Sequence, residues 1–477
     1  MKIAIVGAGM AGIGTLRYYI DHINIDDMEI YIFDDRSSAG IGYPFGPDDD
    51  ALLLNQRLKK MTLEPWDDKK EYVKYLKETE PELLNHEFIT RPEFGKYSKD
   101  VFLEYIKDER VKFVPSIVND IDVEKDKYVI KTDNDYEVDV VHLCIGQLPQ
   151  TDIYNLKDIK KYIATPFPIE NHSELLLNSK SVGIIGTNLT SLDIIMYLYK
   201  HNYKNDIVVT SRSGTVPFIR GNEAEVSIDV NALKNKKDIT IHDIVEIFKE
   251  ETKRHGIDFN LIKKLNEMPV LETLKYQLNH LDTLGVLEET AEELSEVLRE
   301  VWNDLSLEDK KYYMKHIKGV HGQLTGPFPK MTAEKIVELI EAGQLTYVSG
   351  VEDIYYDDDE FVIHSEDGDY SAYVMVSAVG PNLSGKNLAD ENNASPLVKT
   401  LLEKGVLEVD ELGGIKITYP EFSVISEAGV LERMKLYGNL VSTTHINNSG
   451  VNLILKKIPQ SIEEIFHGDD GEEGTLS

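Results

Sequence analysis

The chain has 477 residues, 42% hydrophobic and 28% charged, with a formal net charge of −33. This is the balance of a globular protein of roughly two to four domains, and so acidic a surface repels nucleic acid and anionic membrane surfaces, which are not expected as partners. Its single cysteine, Cys144, excludes an intramolecular disulfide and any paired-cysteine redox mechanism.

The apolar run at residues 2–6 reads as a buried strand leading into glycines, not as a signal peptide. A helical pattern follows through Ile20, and Met28 to Asp34 reads as a second strand, giving a β-α-β unit within the first 35 residues. Gly40 to Pro47 is a glycine- and proline-rich loop. Glu71 to Lys77 and Lys99 to Asp108 carry amphipathic helical spacing, Val111 to Thr132 reads as antiparallel strand material, and Val138 to Ile145 as a buried strand ending at Gly146.

A second unit repeats the pattern. Ser181 to Ile185 is a strand, Ser191 to Tyr199 a helix and Ile207 to Thr210 the next strand. Residues from about 230 to 318 are rich in Glu, Lys and Leu at helical spacing and read as a helical insertion. Strand patterns return at Leu345 to Val348, Phe361 to Ile363 and Tyr373 to Val379, the last ending in Gly380-Pro381. Leu436 to Leu455 runs strand, polar glycine loop, helix, and the acidic tail after Phe466 reads as mobile. No run of about 18 apolar residues occurs, so no membrane span and a cytoplasmic location are expected.

Gly7-Ala8-Gly9-Met10-Ala11-Gly12 is a G-x-G-x-x-G placed between a strand and a helix. Gly7 permits the tight turn, Gly9 lets the backbone approach a pyrophosphate, and Gly12 lets the helix pack on the strand. The helix N-terminus supplies free amides to the phosphate charge. Asp34, with Asp35 beside it, stands at the end of the second strand, where an acid binds ribose hydroxyls. A glycine turn without a ligand is the plainer alternative. The motif does not separate FAD from NAD; its place ahead of a second nucleotide-type unit favours FAD.

The second glycine element, Gly186-Thr187-Asn188-Leu189-Thr190-Ser191, keeps only the first glycine. Asparagine tolerates left-handed backbone angles, but its side chain crowds a pyrophosphate. The next strand ends in Ser211-Arg212, which suits the 2′-phosphate of NADPH better than NADH, with Arg220 a further candidate for that phosphate. The alternative is a nucleotide fold that has lost its ligand, with both arginines as surface charges.

These stretches resemble a bacterial FAD/NAD(P)-binding flavoprotein family related to the flavin-containing and N-hydroxylating monooxygenases. The likeness is carried by Gly40-Ile41-Gly42-Tyr43-Pro44-Phe45 with Leu52-Leu53-Leu54-Asn55, by Arg91-Pro92-Glu93-Phe94-Gly95-Lys96-Tyr97, by Cys144-Ile145-Gly146, by the Gly186 element, by Trp302-Asn303-Asp304-Leu305 with Val320-His321, and by Val379-Gly380-Pro381. Asn188 and the Cys144-Ile145 pair depart from the family pattern. The resemblance implies FAD, makes NAD(P)H plausible and implies no substrate. It puts Gly42, Asn55 and Gln56 near the flavin, together with Gly146 and Gly380 at strand ends; Arg57 is as well read as a solvated loop charge. Ser449, Gly450 and Val451 precede the last helix, whose N-terminus is expected at the flavin pyrimidine edge.

Several candidates have plainer readings. His445 is expected to be structural, His321 a loop histidine that could line a substrate cavity, and Cys144 a buried hydrophobe. Asp48-Asp49-Asp50 reads as a solvated turn, and no metal site is expected.

The expected fold is α/β, with two Rossmann-type dinucleotide-binding domains and a helical insertion. The FAD domain is placed at 1–165 and 370–477, the NAD(P)-binding-like domain at 175–228 and 319–369, and the insertion at 229–318. Flavin is expected at the carboxyl ends of the strands, in the cleft between domains. The leading functional expectation is an NAD(P)H-dependent flavin monooxygenase of a small molecule, N-hydroxylation of an amine being one version. A flavin oxidoreductase without oxygen insertion, or a non-catalytic FAD-binding redox sensor, are the alternatives. The catalytic residues and the oligomeric state are not legible.

Overall fold

The computed structural model describes residues 1–467 apart from 126, 230, 232, 234–235, 390–394 and 447–449. The chain divides into two compact units. One comprises Met1–Pro47, Gln56–Pro149 and Pro381–Ser477, and the other Asp48–Asn55 and Gln150–Gly380.

The first unit is built on a sheet whose strands run in the order Ser423–Ser426, Gly429–Leu436, Val140–Leu143, Lys2–Val6, Glu29–Phe33, Val111–Val114. Every neighbouring pair is parallel except the first. Lys2–Val6 lies against Glu29–Phe33 in the register Lys2↔Glu29 to Val6↔Phe33. Ile3, Ala4 and Ile5 are fully buried, because a parallel strand is covered on both faces and so reads as an unbroken apolar run. Val111–Val114 was expected within antiparallel material; it is the parallel edge strand, and the antiparallel meander is Asp120–Val123, Tyr128–Lys131 and Asp135–Val138.

The Met10–His22 helix follows the first glycine turn. Gly14 on it has no room for a side chain, since a Cβ would run into Leu455 and lie 3.2 Å from Ile458 Cδ1. Two late helices, Val451–Leu455 and Ile458–His467, thereby pack against it. The helix expected from Lys99 begins earlier, at Arg91: Thr90 caps it by accepting from the Glu93 amide and Pro92 sits in its first turn.

A buried polar chain crosses the core of this unit. His142, on the central Val140–Leu143 strand, meets the Tyr19 hydroxyl through Nε2 at 2.8 Å and the Tyr437 hydroxyl through Nδ1 at 3.0 Å. Tyr437 in turn pairs with Ser461 Oγ at 2.6 Å. Burial, with Lys435 adding to it, pushes the His142 pKa down to about 3, so the ring is neutral. Lys435 is itself buried, with Ser423 Oγ accepting from its amine at 2.9 Å. Burial lowers its pKa to about 8, against the pull of Glu421, Glu464 and Glu432.

The second unit holds a parallel sheet in the order Leu345–Val348, Asp206–Thr210, Ser181–Ile185, Val374–Ser377, Tyr162–Ile163. The antiparallel strands Val351–Asp357, Glu360–Ser365 and Gly368–Ala372 accompany it. The boundaries differ from those expected. Val374–Ser377 pairs with Ser181–Ile185 and so belongs here, and the first unit resumes at Pro381 rather than near 370. Helices run from Ile241 to Thr325, where the insertion was expected, and continue through Lys330–Glu341.

Residues 48–55 also belong to the second unit, and the reason is visible. Asp48 accepts from the Ile169 amide at 2.9 Å, and the buried Asp49 pairs with Lys200 at 2.9 Å and with His201 Nε2 at 2.8 Å. Burial opposes the Asp49 charge, yet His201, the Ala51 amide and Lys200 together hold its pKa below the usual carboxylate range. The expected solvated turn is therefore an anchored one.

Candidate functional site

The first glycine turn forms because Gly7 adopts φ +103, and a Cβ there would collide with the Cys144 carbonyl. Its amide donates to Phe33 O at 2.8 Å, which locks the turn to the second strand. Gly12 is equally constrained, since a Cβ would strike Gly7 O. Gly9 is the N-cap of the Met10–His22 helix, with no side-chain cap and no acidic residue in the first turn. The positive end of the helix dipole is thus left bare by the protein itself. Ala8 is fully buried, Met10 is buried beside Ser98, and Ala11 accepts from Thr15 Oγ1 at 2.9 Å.

Gly42 closes the arrangement. It has φ +70, and a Cβ built on it would stand 3.3 Å from Gly9 Cα; one built on Gly9 would stand 3.5 Å from Gly42 Cα. Two loops therefore meet with no side chain between them, at the bare helix end. The Gly40 amide donates to Ala8 O at 2.9 Å, and Ser98 Oγ donates to Gly40 O at 2.7 Å, which fixes the second loop on the first.

Asp34 stands where the acid was expected. Its Oδ2 accepts from the Ala8 amide at 2.7 Å, and its Oδ1 accepts from the Asp35 amide at 2.7 Å and from Ser38 Oγ at 2.8 Å. Asp35 is exposed, and the Ser37 hydroxyl and amide hold its pKa below the usual range. These residues suit a dinucleotide: bare amides for a pyrophosphate, and a carboxylate for a ribose.

The remaining first-site candidates are more scattered. Gly146 has φ +80 and open space around it. Gly450 caps the Val451–Leu455 helix, and Asn452, the second residue of that helix, donates through Nδ2 to Lys60 O at 2.6 Å, so this helix lies beside the segment following Gln56. Asn452 Oδ1 is buried without a partner. Ser449 lies outside the described residues. Asn55 and Gly380 fall in the second unit, Gln56 in the first. Arg57 is half-buried, and its Nε donates to the exposed Glu87 at 2.7 Å.

The second glycine turn repeats the first. Gly186 has φ +111, and its amide donates to Thr210 O at 2.7 Å. Asn188 caps the Leu189–Lys200 helix at φ −85, ψ −170, almost the conformation of Gly9 at φ −81, ψ −165. No left-handed angle is needed; what differs is the exposed Asn188 side chain, which caps nothing. Thr187 Oγ1 donates to Thr215 O at 2.5 Å, and Ser191 Oγ folds back on Asn188 O at 2.6 Å. At the end of the Asp206–Thr210 strand, Ser211 Oγ accepts from the Gly214 amide at 2.8 Å, and Arg212 is exposed. Arg220 proves unsuited to a phosphate. It is buried in an ion pair with Glu288, and its Nη2 donates to Asn55 O at 2.7 Å.

The expected loop histidine His321 lies on the Lys318–Thr325 helix. Its Nε2 meets Ser295 Oγ at 2.6 Å and its Nδ1 meets Tyr313 OH at 2.7 Å; burial, with Arg299 nearby, lowers its pKa to about 4. It is a half-buried residue held by hydrogen bonds on both ring nitrogens. His445 is a core residue, buried edge-on against Phe422 at 5.3 Å. Cys144 is buried, its pKa pushed up to about 12 by that burial, as expected of a packed thiol. Sequence reasoning missed Ser38 and the polar chain around His142: a serine in a loop and a histidine within an apolar strand carry no periodic or motif signal.

Comparison with known proteins follows the same lines. Residues 4–148 match a family model described as FAD-NAD(P)-binding. The uncharacterised protein YdhS of Escherichia coli (strain K12) is 24% identical over 210 residues, which cover 41% of this chain and 39% of that protein's length. Among solved structures, the ornithine N-hydroxylase of Kutzneria sp. 744 aligns over 98% of this chain and 99% of its own, with TM-score 0.60 and 12% identity. The cadaverine monooxygenase of Erwinia amylovora aligns over 98% and 94%, with TM-score 0.60 and 10% identity. The L-lysine 6-monooxygenase of Pseudomonas syringae aligns over 98% of both chains, with TM-score 0.56 and 12% identity. At these identities the likeness establishes the architecture, that of flavoenzymes with two dinucleotide-binding domains. Among the described residues no helix is long and apolar enough to cross a membrane.

Proposed function

We propose that this chain is an FAD-dependent oxidoreductase that takes reducing equivalents from NAD(P)H and hydroxylates a small molecule. The observation that carries the FAD reading is the meeting of Gly9 and Gly42 at an uncapped helix end, with Asp34 tied to the Ala8 amide. The amides at the start of the Met10–His22 helix would bind the pyrophosphate, and Asp34 the ribose. Bound flavin would supply hydride acceptance and the activation of oxygen. In the second unit, the Gly186 turn with the exposed Arg212 suits a nucleotide carrying a 2′-phosphate. Full-length likeness to amine hydroxylases supports an amine as the substrate class.

The test is spectroscopic and then kinetic. Purified protein should be yellow or become so with FAD, NADPH should bleach it without oxygen, and oxygen should restore the colour. Oxygen-consuming NADPH oxidation should rise with ornithine, lysine or cadaverine. Bound flavin that neither NADPH nor NADH reduces overturns the enzymatic reading.

One observation favours a second reading. The Asn188 side chain projects from the helix start that would receive the second dinucleotide. If it blocks that site, the protein is a non-catalytic FAD-binding redox sensor, and the same reduction experiment decides between them.

A further inference from the structure

The loop between Asp34 and Gly42 turns on one residue. Ser38 Oγ donates to Asp34 Oδ1 at 2.8 Å; the alternative acceptor, Asp35 O, is farther, at 3.3 Å. The Ser38 carbonyl accepts from the amides of both Ile41, at 3.0 Å, and Gly42, at 3.1 Å. The hydroxyl therefore holds the carboxylate, while the carbonyl of the same residue forms the turn that sets Gly42 against Gly9.

An acceptor count sharpens this. A carboxylate offers about four acceptor positions, two on each oxygen. Among the described residues, Asp34 Oδ1 is filled by the Asp35 amide and Ser38 Oγ, and Oδ2 by the Ala8 amide alone. One position is left on Oδ2, and the carboxylate cannot rotate to offer another while Oδ1 is held from two sides. Without the Ser38 hydroxyl, Oδ1 keeps only the Asp35 amide, and the carboxylate is held by two donors, one on each oxygen, instead of three.

We infer that Ser38 is a positioning and specificity-determining residue of the first dinucleotide site: its hydroxyl pins the Asp34 carboxylate so that the one open acceptor on Oδ2 meets a hydroxyl of the adenosine ribose. The inference rests on the reading of this site as the FAD site. It adds that the ribose is recognised through a prearranged carboxylate, and that the recognition is set from the same residue that shapes the pyrophosphate wall.

The experiment titrates FAD, and its 2′-deoxyadenosine and 3′-deoxyadenosine forms, into the full chain freed of flavin, following the quenching of flavin fluorescence. Ser38→Ala is expected to weaken FAD about tenfold and Ser38→Thr to restore most of the loss. On one of the two deoxy forms, wild type and Ser38→Ala should converge to within about twofold, because the hydroxyl that Asp34 would receive is gone. A gap that persists on both deoxy forms overturns the inference, since the serine would then act only on loop shape. Should Ser38→Ala fail to fold, Ser38→Val and Ser38→Thr differ by the hydroxyl with little change of volume and give the same comparison. Wild type that does not bind FAD in the first titration overturns the cofactor reading itself, and is distinguishable from a failure of the serine.

Discussion

The rings of His142 and Tyr437 lie in planes 5° apart, and the Nδ1 of one meets the hydroxyl of the other at 3.0 Å in the core of the first unit. The histidine is held neutral there, with its pKa near 3. In the unfolded chain it titrates near 6.5. Between these values the unfolded chain binds a proton that the folded one does not, so stability falls as the pH drops from about 6.5 toward 3. The full shift is worth at most about 5 kcal/mol. His142→Phe should cost about 1–3 kcal/mol at neutral pH through the orphaned Tyr19 hydroxyl, Tyr437 keeping Ser461, and should flatten the acid limb of urea midpoint against pH. An unchanged slope would show that the ring is protonated in the fold. His321 titrates in the same window, so some slope remains in the variant.

Lys435 gives the opposite end of the pH scale. Its folded value, about 8, lies below the unfolded value near 10.5. The unfolded chain therefore holds more protons between pH 8 and 10.5, and this residue's contribution to stability rises with pH through that window. Lys435→Met should stabilise the protein by roughly 2–3 kcal/mol below pH 8, with the advantage shrinking toward pH 10.5. Equal stabilisation at all pH values would refute the assignment.

Gly9→Ala should separate binding from folding. The backbone at Gly9, φ −81, suits any residue, and the new Cβ would rest in ordinary contact with Gly42. Thermal stability should change by less than about 1 kcal/mol, while FAD affinity falls at least about tenfold as a methyl enters the bare helix end. Gly42→Ala, at φ +70, should by contrast cost about 1–2 kcal/mol of stability. Tight FAD binding by Gly9→Ala would be the adverse result.

Arg212 and Arg220 should behave as different kinds of residue. Removing the exposed Arg212 should raise KM for NADPH about tenfold or more, leave KM for NADH unchanged and leave the melting temperature alone. Arg220→Met should instead destabilise by about 3–5 kcal/mol, because the buried Glu288 carboxylate loses the guanidinium that balances its charge. Calorimetry beside steady-state kinetics on the two variants reads both outcomes.

Asn188→Gly tests whether the second site is hindered. The side chain makes no cap, so its removal should cost only a few tenths of a kcal/mol. NADPH should then reduce bound flavin at lower concentrations than in wild type. No change in the concentration dependence would mean that the asparagine does not obstruct the nucleotide.

Where the sequence was legible, a residue's neighbours along the chain were enough to dictate its role. Gly7, Gly12 and Asp34 took their expected places because a turn, a helix contact and a strand end are local events. Arg220 misled because nothing near it in sequence announces Glu288, on a helix some seventy positions later. Asp48 and Asp49 looked like solvent-facing acids for the same reason: their partners, Ile169, Lys200 and His201, are brought to them only by the fold. Val111–Val114 was misjudged since an edge strand of a parallel sheet and a strand of a meander share one apolar pattern. His142 was invisible because a polar group in an apolar strand has meaning only through the Tyr19 and Tyr437 hydroxyls across from it.

The eight residues from Asp48 to Asn55 bear on how this protein can be dissected. A fragment spanning 150–380 would leave Lys200 and His201 without their carboxylate, the Ile169 amide without its acceptor, and Arg220 without the Asn55 carbonyl. No single stretch of the chain holds the second unit whole without also holding Gln56–Pro149 of the first. A working excision has to graft the octapeptide back.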